Sequence, residues 1–294
     1  MKSSYFDGAK TLNVEKIGNI MGGQDGAIFN HLLFRLDSSA NGHVYDLKSK
    51  DLKEVGDFRL DNLDLIVPHD NCAFFSDKYY DEKDEFPIFY TNVYNAYPDR
   101  QDRRGMLIAY RIVREGKNYV GKILQAVRVG FTDDLLWRSK DLKDIRPYGN
   151  LLLSKNENLL YAFVMRDQDK KTRFFAFEMP SINDGKENKE LGVKEVVLQK
   201  EQIVDTFDAE YINFMQGGII NNGYLYSAEG FSVKEKRENL PAIRVFDLKN
   251  HCQAFHVCLF DQLGLEIEPE CVDFDGETLI YSDYHGNLYK ATFE

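Results

Sequence analysis

The chain has 294 residues, of which 43% are hydrophobic and 13% aromatic, enough apolar material to exclude a disordered tail or a small disulfide-stabilised domain. The 48 acidic residues outnumber the 37 basic ones, which gives a formal net charge of −11. Binding to nucleic acid or to an anionic membrane needs concentrated Lys and Arg, so this balance argues against both as main partners.

The first residues, MKSSYFDGAKTLN, contain neither an apolar core nor a small-residue cleavage site, and therefore do not read as a signal peptide. We expect a cytoplasmic protein, with export left open for a chain whose leader has been removed. No apolar run approaches the ~20 residues of a membrane-spanning helix, which predicts no transmembrane segment. Residues 10–20, KTLNVEKIGNI, instead have the pattern of a β-strand.

From residue 24 onward, short runs of aromatic and β-branched residues alternate with polar ones and are separated by Gly, Asn and Asp. A period of two fits these runs better than a helical period of 3.6. The segment LQKEQIVDTFD (198–208) is the main candidate for one or two helical turns. The fold class predicted for the chain is all-β.

A weak internal repeat groups these strands. Residues 24–30 and 216–222 share the pattern Q-x-G-x-I-x-N, and comparable units begin near residues 69, 149 and 268. The last unit is short, whereas the strand at residues 10–20 has no partner nearby. We therefore predict a single domain over residues 1–294, a five-bladed β-propeller whose last blade is completed by the amino-terminal strand. Six blades are the main alternative, and a pair of β-sandwiches is the third.

One string of residues is distinctive. His69 and Asn71 are followed by KYYDEKDEFPIFYTNVY (78–94) and by the strand AYRIV (109–113). This string, and later segments such as GNLLLSKNENLLYAFVM and EPECVDFDGETLIYS, is similar to the phage receptor-binding-protein/TagC-like β-propeller family over residues 18–293. The resemblance implies a β-propeller associated with cell-wall polymers such as teichoic acid.

In a propeller, the loops that enter the innermost strands gather around one mouth of the central channel. Polar side chains at these loops have donors and acceptors suited to a hydroxyl-rich ligand, and an aromatic residue among them offers a stacking surface. The alternative is that these groups cap strands and hold channel waters. The predicted ligand-binding residues are Gln24, Asp25, His69, Asn71, Arg146, Tyr148, Gln216, Glu268 and Glu270.

The predicted function is non-enzymatic binding of a glycan, a cell-wall polymer or a small polar or anionic molecule at this mouth, with Arg146 recognising an anionic group. A carbohydrate-active hydrolase or lyase, using His69 and a carboxylate as an acid–base pair, is the alternative. A protein-interaction propeller is a third hypothesis. The sequence has no Gly-rich phosphate loop, no G-x-S-x-G and no HExxH motif, which argues against nucleotide enzymes, serine hydrolases and zincins.

No cofactor is expected, and a divalent cation held in the channel by His69 with Asp25 is the alternative. The cysteines form no C-x-x-C pair, so we predict four buried thiols and leave one disulfide or a metal open. They are Cys72, Cys252, Cys258 and Cys271.

Overall fold

The computed structural model describes residues 5–61, 72–93, 105–131, 151–166, 171–210, 214–235 and 239–294. Within these ranges the regular structure consists of 22 strands, one 3₁₀ turn at Lys200–Gln202 and one short helix, α1 (Leu259–Leu263). The prediction of an all-β chain is confirmed. Across the same ranges, the structure contains no helix with the length and apolar character needed to cross a membrane.

The first strand, β1 (Leu12–Asn19), is followed by a ten-stranded sheet that contains two antiparallel four-stranded meanders. The first meander consists of β2 (Gly26–Phe29), β3 (Leu32–Leu36), β4 (Asn41–Asp46) and β5 (Lys53–Leu60). The second consists of β6 (Ala73–Phe75), β7 (Phe89–Val93), β8 (Met106–Glu115) and β9 (Asn118–Val129). A short parallel pairing of residues 58–60 with residues 119–121 joins β5 to β9 and makes the two meanders one sheet.

The third meander is interrupted by an insertion. Its first three strands are β10 (Leu151–Ser154), β11 (Leu159–Arg166) and β12 (Lys171–Glu178). The chain then forms a hairpin of β13 (Lys186–Asn188) and β14 (Val193–Leu198) before β15 (Ile203–Glu210) returns to pair with β12. Because β14 pairs in parallel with β9, this hairpin connects the second and third meanders.

The predicted helical turns in residues 198–208 are wrong apart from the single 3₁₀ turn. Most of this segment is the strand β15. Ile203 and Phe207 of this strand pack against the core, whereas the residue that follows each of them is exposed to solvent. The apolar spacing that resembled a helix is therefore the period of two of a half-buried strand.

The fourth meander and the last one follow the same antiparallel order. The fourth contains β16 (Met215–Asn221), β17 (Tyr224–Glu229), β18 (Ala242–Asp247) and β19 (Cys252–Cys258). The last contains β20 (Pro269–Asp275), β21 (Thr278–Asp283) and β22 (Asn287–Phe293), and takes β1 as its fourth strand. The antiparallel pairing runs from Leu12 opposite Phe293 to Asn19 opposite Asn287, which confirms that the segment 10–20 completes this sheet.

The first strands of the meanders lie side by side in the interior. β2 contacts both β6 and β20, and β16 contacts both β10 and β20. Sheets that present their first strands to a shared centre in this way form a β-propeller. The centre therefore has two ends, one where the first strands begin and one where they turn into the second strands.

The buried core has two main parts. One lies under the first and second meanders, where the ring of Phe34 meets Phe58 at 5.1 Å and Phe75 at 5.2 Å in edge-to-face contacts. The other extends from the second meander through the third, fourth and last ones and includes Leu12 of β1. The amino-terminal strand thus contributes to the core as well as to the sheet.

A buried ion pair crosses the fourth meander. Arg244 Nε donates to Glu229 Oε1 at 2.8 Å, and both side chains are 0% exposed. Arg244 Nη1 donates to the carbonyl of Glu210 at 2.7 Å, and its guanidinium carbon lies 4.5 Å from the ring centroid of Phe246. Burial raises the pKa of Glu229, and the charge of Arg244 opposes that shift.

Candidate functional site

Five of the nine predicted site residues lie in the described part of the chain, where the first strands begin. Each stands just before or at the first residues of β2, β16 or β20. We call this region the strand-start mouth, formed by Gln24, Asp25, Gln216, Glu268 and Glu270. The other four predicted residues, His69, Asn71, Arg146 and Tyr148, lie outside the described residues.

Asp25 is a strand-joining group at this mouth. Its Oδ1 accepts a hydrogen bond from Gly26 N at 2.7 Å, and its Oδ2 accepts one from Ala73 N at 2.9 Å. Ala73 begins β6, so the carboxylate ties the first meander to the second. Burial raises the pKa of Asp25 well above its ordinary value, against these bonds and the charge of Arg35. Both Asp25 oxygens already have backbone partners, which fits a capping role.

Glu268 is the most accessible carboxyl group of the strand-start mouth and is half-buried. It accepts a hydrogen bond from Gln216 Nε2, which also donates to the carbonyl of Gly230 at 3.0 Å. The amide of Glu268 donates to Ser232 Oγ at 3.1 Å. Burial, with repulsion from Glu235, raises the pKa of Glu268 to about 7. A carboxyl group with such a pKa is both a donor and an acceptor near neutral pH.

Arg35 supplies a cation that the sequence analysis missed. It lies on β3 and is 0% exposed, and its Nη2 donates to the carbonyls of Gly23 at 2.7 Å and Asp283 at 3.3 Å. Its Nε and Nη1 have no hydrogen-bond partner among the residues that the structure describes. The strand LLFRL reads as a half-exposed strand, yet Leu33 through Leu36 are all buried because β3 is covered on both faces.

Glu270 is the acidic counterpart of Arg35. Its side chain is 2% exposed, and its Oε2 has no hydrogen-bond partner in the described ranges. Burial, with repulsion from Glu268, raises its pKa well above the ordinary value, and the charge of Arg35 opposes the shift. The strand-start mouth therefore places three carboxyl groups, each with a pKa raised by burial, near the buried guanidinium group of Arg35.

We expect the folded protein to lose stability as the pH rises from about 4.5 toward 7, because the pKa of Glu268 rises to about 7 on folding. The folded chain then holds a proton that the unfolded chain releases. The resulting stabilisation is complete below the unfolded pKa and is lost as the pH passes the folded one. Glu268→Gln should raise the free energy of unfolding at pH 8 by about 1 kcal/mol, allowing for solvent screening of this half-buried group, with little change at pH 4.

Urea denaturation of the wild type and the variant at both pH values measures this effect. Glu266→Gln removes the same charge from an exposed position two residues away and serves as the matched control. An equal change from Glu268→Gln at the two pH values would contradict the raised pKa.

A polar cavity of about 200 Å³ lies at the opposite ends of the first strands. Asp273 on its wall accepts a hydrogen bond from Ile28 N at 2.7 Å, which joins the last meander to the first. Burial raises the pKa of Asp273 to about 6, and the charge of Lys155 opposes the shift. Sequence reasoning placed a site only where the first strands begin. The lining of the polar cavity includes Ser154, Lys155, Asn156, Asn221, Asn222 and Asp273.

In the described ranges, one group of three potential metal ligands lies close enough together to share an ion. It consists of His43, Glu54 and Asp57, on the outer strands β4 and β5 rather than at the strand-start mouth. His43 Nδ1 lies 3.1 Å from Glu54 Oε1 and 3.4 Å from Asp57 Oδ1, so the group is a cross-strand cluster of one half-buried imidazole and two exposed carboxylates. A channel cation held by His69 falls outside the described residues.

None of the four cysteines, all of which the structure describes, forms a disulfide. Cys72 and Cys271 are buried as predicted, whereas the prediction is wrong for Cys252, which is exposed, and for Cys258, which is half-buried. Both of these lie on β19, the fourth strand of its meander, where part of the sheet faces solvent.

Comparison with known proteins gives structural likeness alone. No family model matches the sequence, and no curated protein matches it. The structure is similar to glutaminyl cyclase from Myxococcus xanthus, with a TM-score of 0.48 and 10% identity, covering 96% of this chain and 94% of that one. It is also similar to the β-propeller domain of Cps50 (Swd1) from Myceliophteria thermophila, with a TM-score of 0.45 and 8% identity over 96% of this chain and 100% of that one. BamB from Moraxella catarrhalis has a TM-score of 0.34 and 8% identity, with 92% of this chain and 71% of that one covered.

Proposed function

We propose that the chain is a single-domain, five-bladed β-propeller that binds a hydroxyl-rich ligand at the strand-start mouth without chemical turnover. Each four-stranded meander is one blade, and the ten-stranded sheet counts as two blades because only a short parallel pairing joins its halves. The pairing of β1 with β22 supports a closed ring, since it leaves the last meander with four strands like the others.

The observation that carries this proposal is the pair of buried side chains Arg35 and Glu270. Each has polar atoms without a hydrogen-bond partner among the described residues. A buried polar atom left unsatisfied costs about 1–3 kcal/mol, so retaining both groups favours a ligand that pairs with them. Hydroxyl groups accept from a guanidinium group and exchange hydrogen bonds with a carboxyl group. A glycan or another polyol presents such hydroxyl groups in a row.

The resemblance of residues 69–94 to the TagC-like family supports a cell-wall polymer as this ligand. The described part of the mouth favours the neutral, hydroxyl-bearing units of such a polymer, because it holds the three carboxyl groups of Asp25, Glu268 and Glu270 beside the one guanidinium group of Arg35. Recognition of an anionic unit would depend on Arg146, which lies outside the described residues.

A carbohydrate-active hydrolase or lyase is the second candidate, and one observation favours it. Glu268 has a pKa raised to about 7, which is the range in which a carboxyl group acts as a general acid near neutral pH. In this reading His69 is the second member of the acid–base pair.

Titration calorimetry with purified teichoic acid and with neutral oligosaccharides tests binding. We expect Glu270→Gln to weaken binding about tenfold, the effect of ~1.4 kcal/mol, while Glu266→Gln leaves it unchanged. Unaltered binding by a folded Glu270→Gln variant would place the ligand elsewhere. Product formation by the wild type that is lost in His69→Ala and in Glu268→Gln would overturn the non-enzymatic proposal in favour of the enzyme.

A further inference from the structure

A second, larger cavity lies between the second and third meanders. It has a volume of about 320 Å³, at the lower end of the ~300–1,000 Å³ range of small-molecule sites. The second meander contributes residues 76–79 with Ile88 and Tyr90, and the third contributes Leu153, Asn158 and residues 179–182. We call this cavity the tyrosine crevice.

The floor of the tyrosine crevice is apolar. Ile88, Tyr90, Leu153 and Met179 are all buried there. The ring of Tyr90 is stacked on that of Phe74 at a centroid distance of 5.2 Å, and this contact fixes the orientation of the Tyr90 ring. The floor therefore offers a rigid apolar surface to one side of a ligand.

The walls are held in place by hydrogen bonds within each meander and by one that joins the two meanders. Asn158 has a left-handed backbone conformation with φ of 54°, and its carbonyl accepts from Met179 N at 2.9 Å. Its Oδ1 accepts from Lys78 Nζ at 2.6 Å, so it links both walls. Ser76 Oγ donates to the carbonyl of Lys78 at 3.0 Å and accepts from its amide at 3.1 Å. The crevice is thus formed without a ligand and needs little reorganisation to bind one.

The rim of the crevice carries an aromatic ring and opposite charges. Tyr79 is 45% exposed, which is unusual for a large ring in this structure. Asp77 and Lys78 stand beside it, and both are exposed. The adjacent Tyr80 is equally exposed but does not line the crevice and lies instead under Arg111, at 5.4 Å from its ring centroid.

We propose that the tyrosine crevice is a binding site for a neutral pyranose ring, with Tyr79 as the stacking surface and Asp77 as an acceptor for ring hydroxyls. A pyranose has one apolar C–H face and a polar edge, which matches an apolar floor below a polar rim. The rim carries one carboxylate, of Asp77, and one ammonium group, of Lys78, so these two residues give it no net charge that would favour an ionic ligand. The site does not depend on a ligand at the strand-start mouth.

Titration of the isotope-labelled protein, followed by the chemical shifts of its backbone amides, tests the proposal. The probes are methyl pyranosides of gluco, galacto and manno configuration. Cyclohexanol, a ring with a single hydroxyl group, and sorbitol, an open-chain polyol, are the comparison compounds. We expect at least one pyranoside to shift the amides of Ser181 and Ile182 and to bind at least fivefold more tightly than cyclohexanol and sorbitol.

Two variants and a matched control locate the contact. Tyr79→Ala and Asp77→Asn should each weaken pyranoside binding at least fivefold, whereas Tyr80→Ala should leave it unchanged. Three results would each overturn the proposal: no shift with any pyranoside at 100 mM, equal binding of cyclohexanol, or a Tyr79→Ala variant that binds as the wild type does. If Tyr79→Ala fails to fold, Asp77→Asn decides in the same way.

Discussion

Removal of residues 1–20 should lower the melting temperature by roughly 10 °C or more. The deletion removes β1 and therefore all the backbone hydrogen bonds between β1 and β22, each of which contributes about 1 kcal/mol net to the free energy of unfolding. It also takes Leu12 out of the core and removes Phe6, whose ring packs against Phe293 at 5.8 Å. A combined loss of about 5 kcal/mol corresponds to this shift for a chain of this size.

Thermal unfolding followed by circular dichroism measures the effect. A synthetic peptide of residues 5–20, added to the truncated protein, should restore part of the lost stability because it can pair with the exposed edge of β22. An unchanged melting curve after truncation would show that β1 does not support the sheet.

Glu229→Gln should destabilise the fold by about 3–5 kcal/mol, since it leaves the guanidinium group of Arg244 buried without its counterion. The substitution keeps the shape of the side chain, so lost packing is a small part of this cost. Replacing both partners, as Glu229→Leu with Arg244→Met, should recover most of the loss, because two apolar side chains avoid the cost of burying charge. Urea denaturation of the three proteins measures these differences.

The exposed pair of Arg114 and Glu85 provides the control for this experiment. Its side chains are 41% and 50% exposed, and Glu85→Gln should change the free energy of unfolding by less than about 1 kcal/mol. A similar small effect from Glu229→Gln would mean that the buried guanidinium group is satisfied by other contacts.

The strand content was predictable because it depends on local pattern. The closing strand was predictable because the repeat left one strand without a partner and one unit a strand short. Residues 10–20 alternate along a strand and had no neighbour to pair with, while the last unit lacked a strand. The parallel pairings of β9 with β5 and with β14 were not predictable, since they join segments far apart in sequence through backbone groups alone. Residues 198–208 were misassigned because the spacing of their four apolar residues fits both a helical turn and a strand.

The candidate site was predictable in position and less so in chemistry. Asp25, Gln216, Glu268 and Glu270 could be placed together because equivalent positions in a repeat occupy equivalent places. Arg35 could not, because burial of a charged residue depends on the sheets that cover both faces of β3. The capping role of Asp25 was not predictable either, because its hydrogen-bond partner Ala73 is distant in the sequence.

The pairing of β1 with β22 also determines when the last sheet can form during synthesis of the chain. Of the described strands, β1 is synthesised first and β22 last, so the sheet to which both belong cannot form until β22 has left the ribosome. Until then β1 lacks its partner β22, and the contact of Leu12 with Phe293 carries the largest loop-closure cost among the strand pairings that the structure describes. Folding should therefore finish slowly, and a translation product that stops before residue 287 exposes two strand edges to other chains.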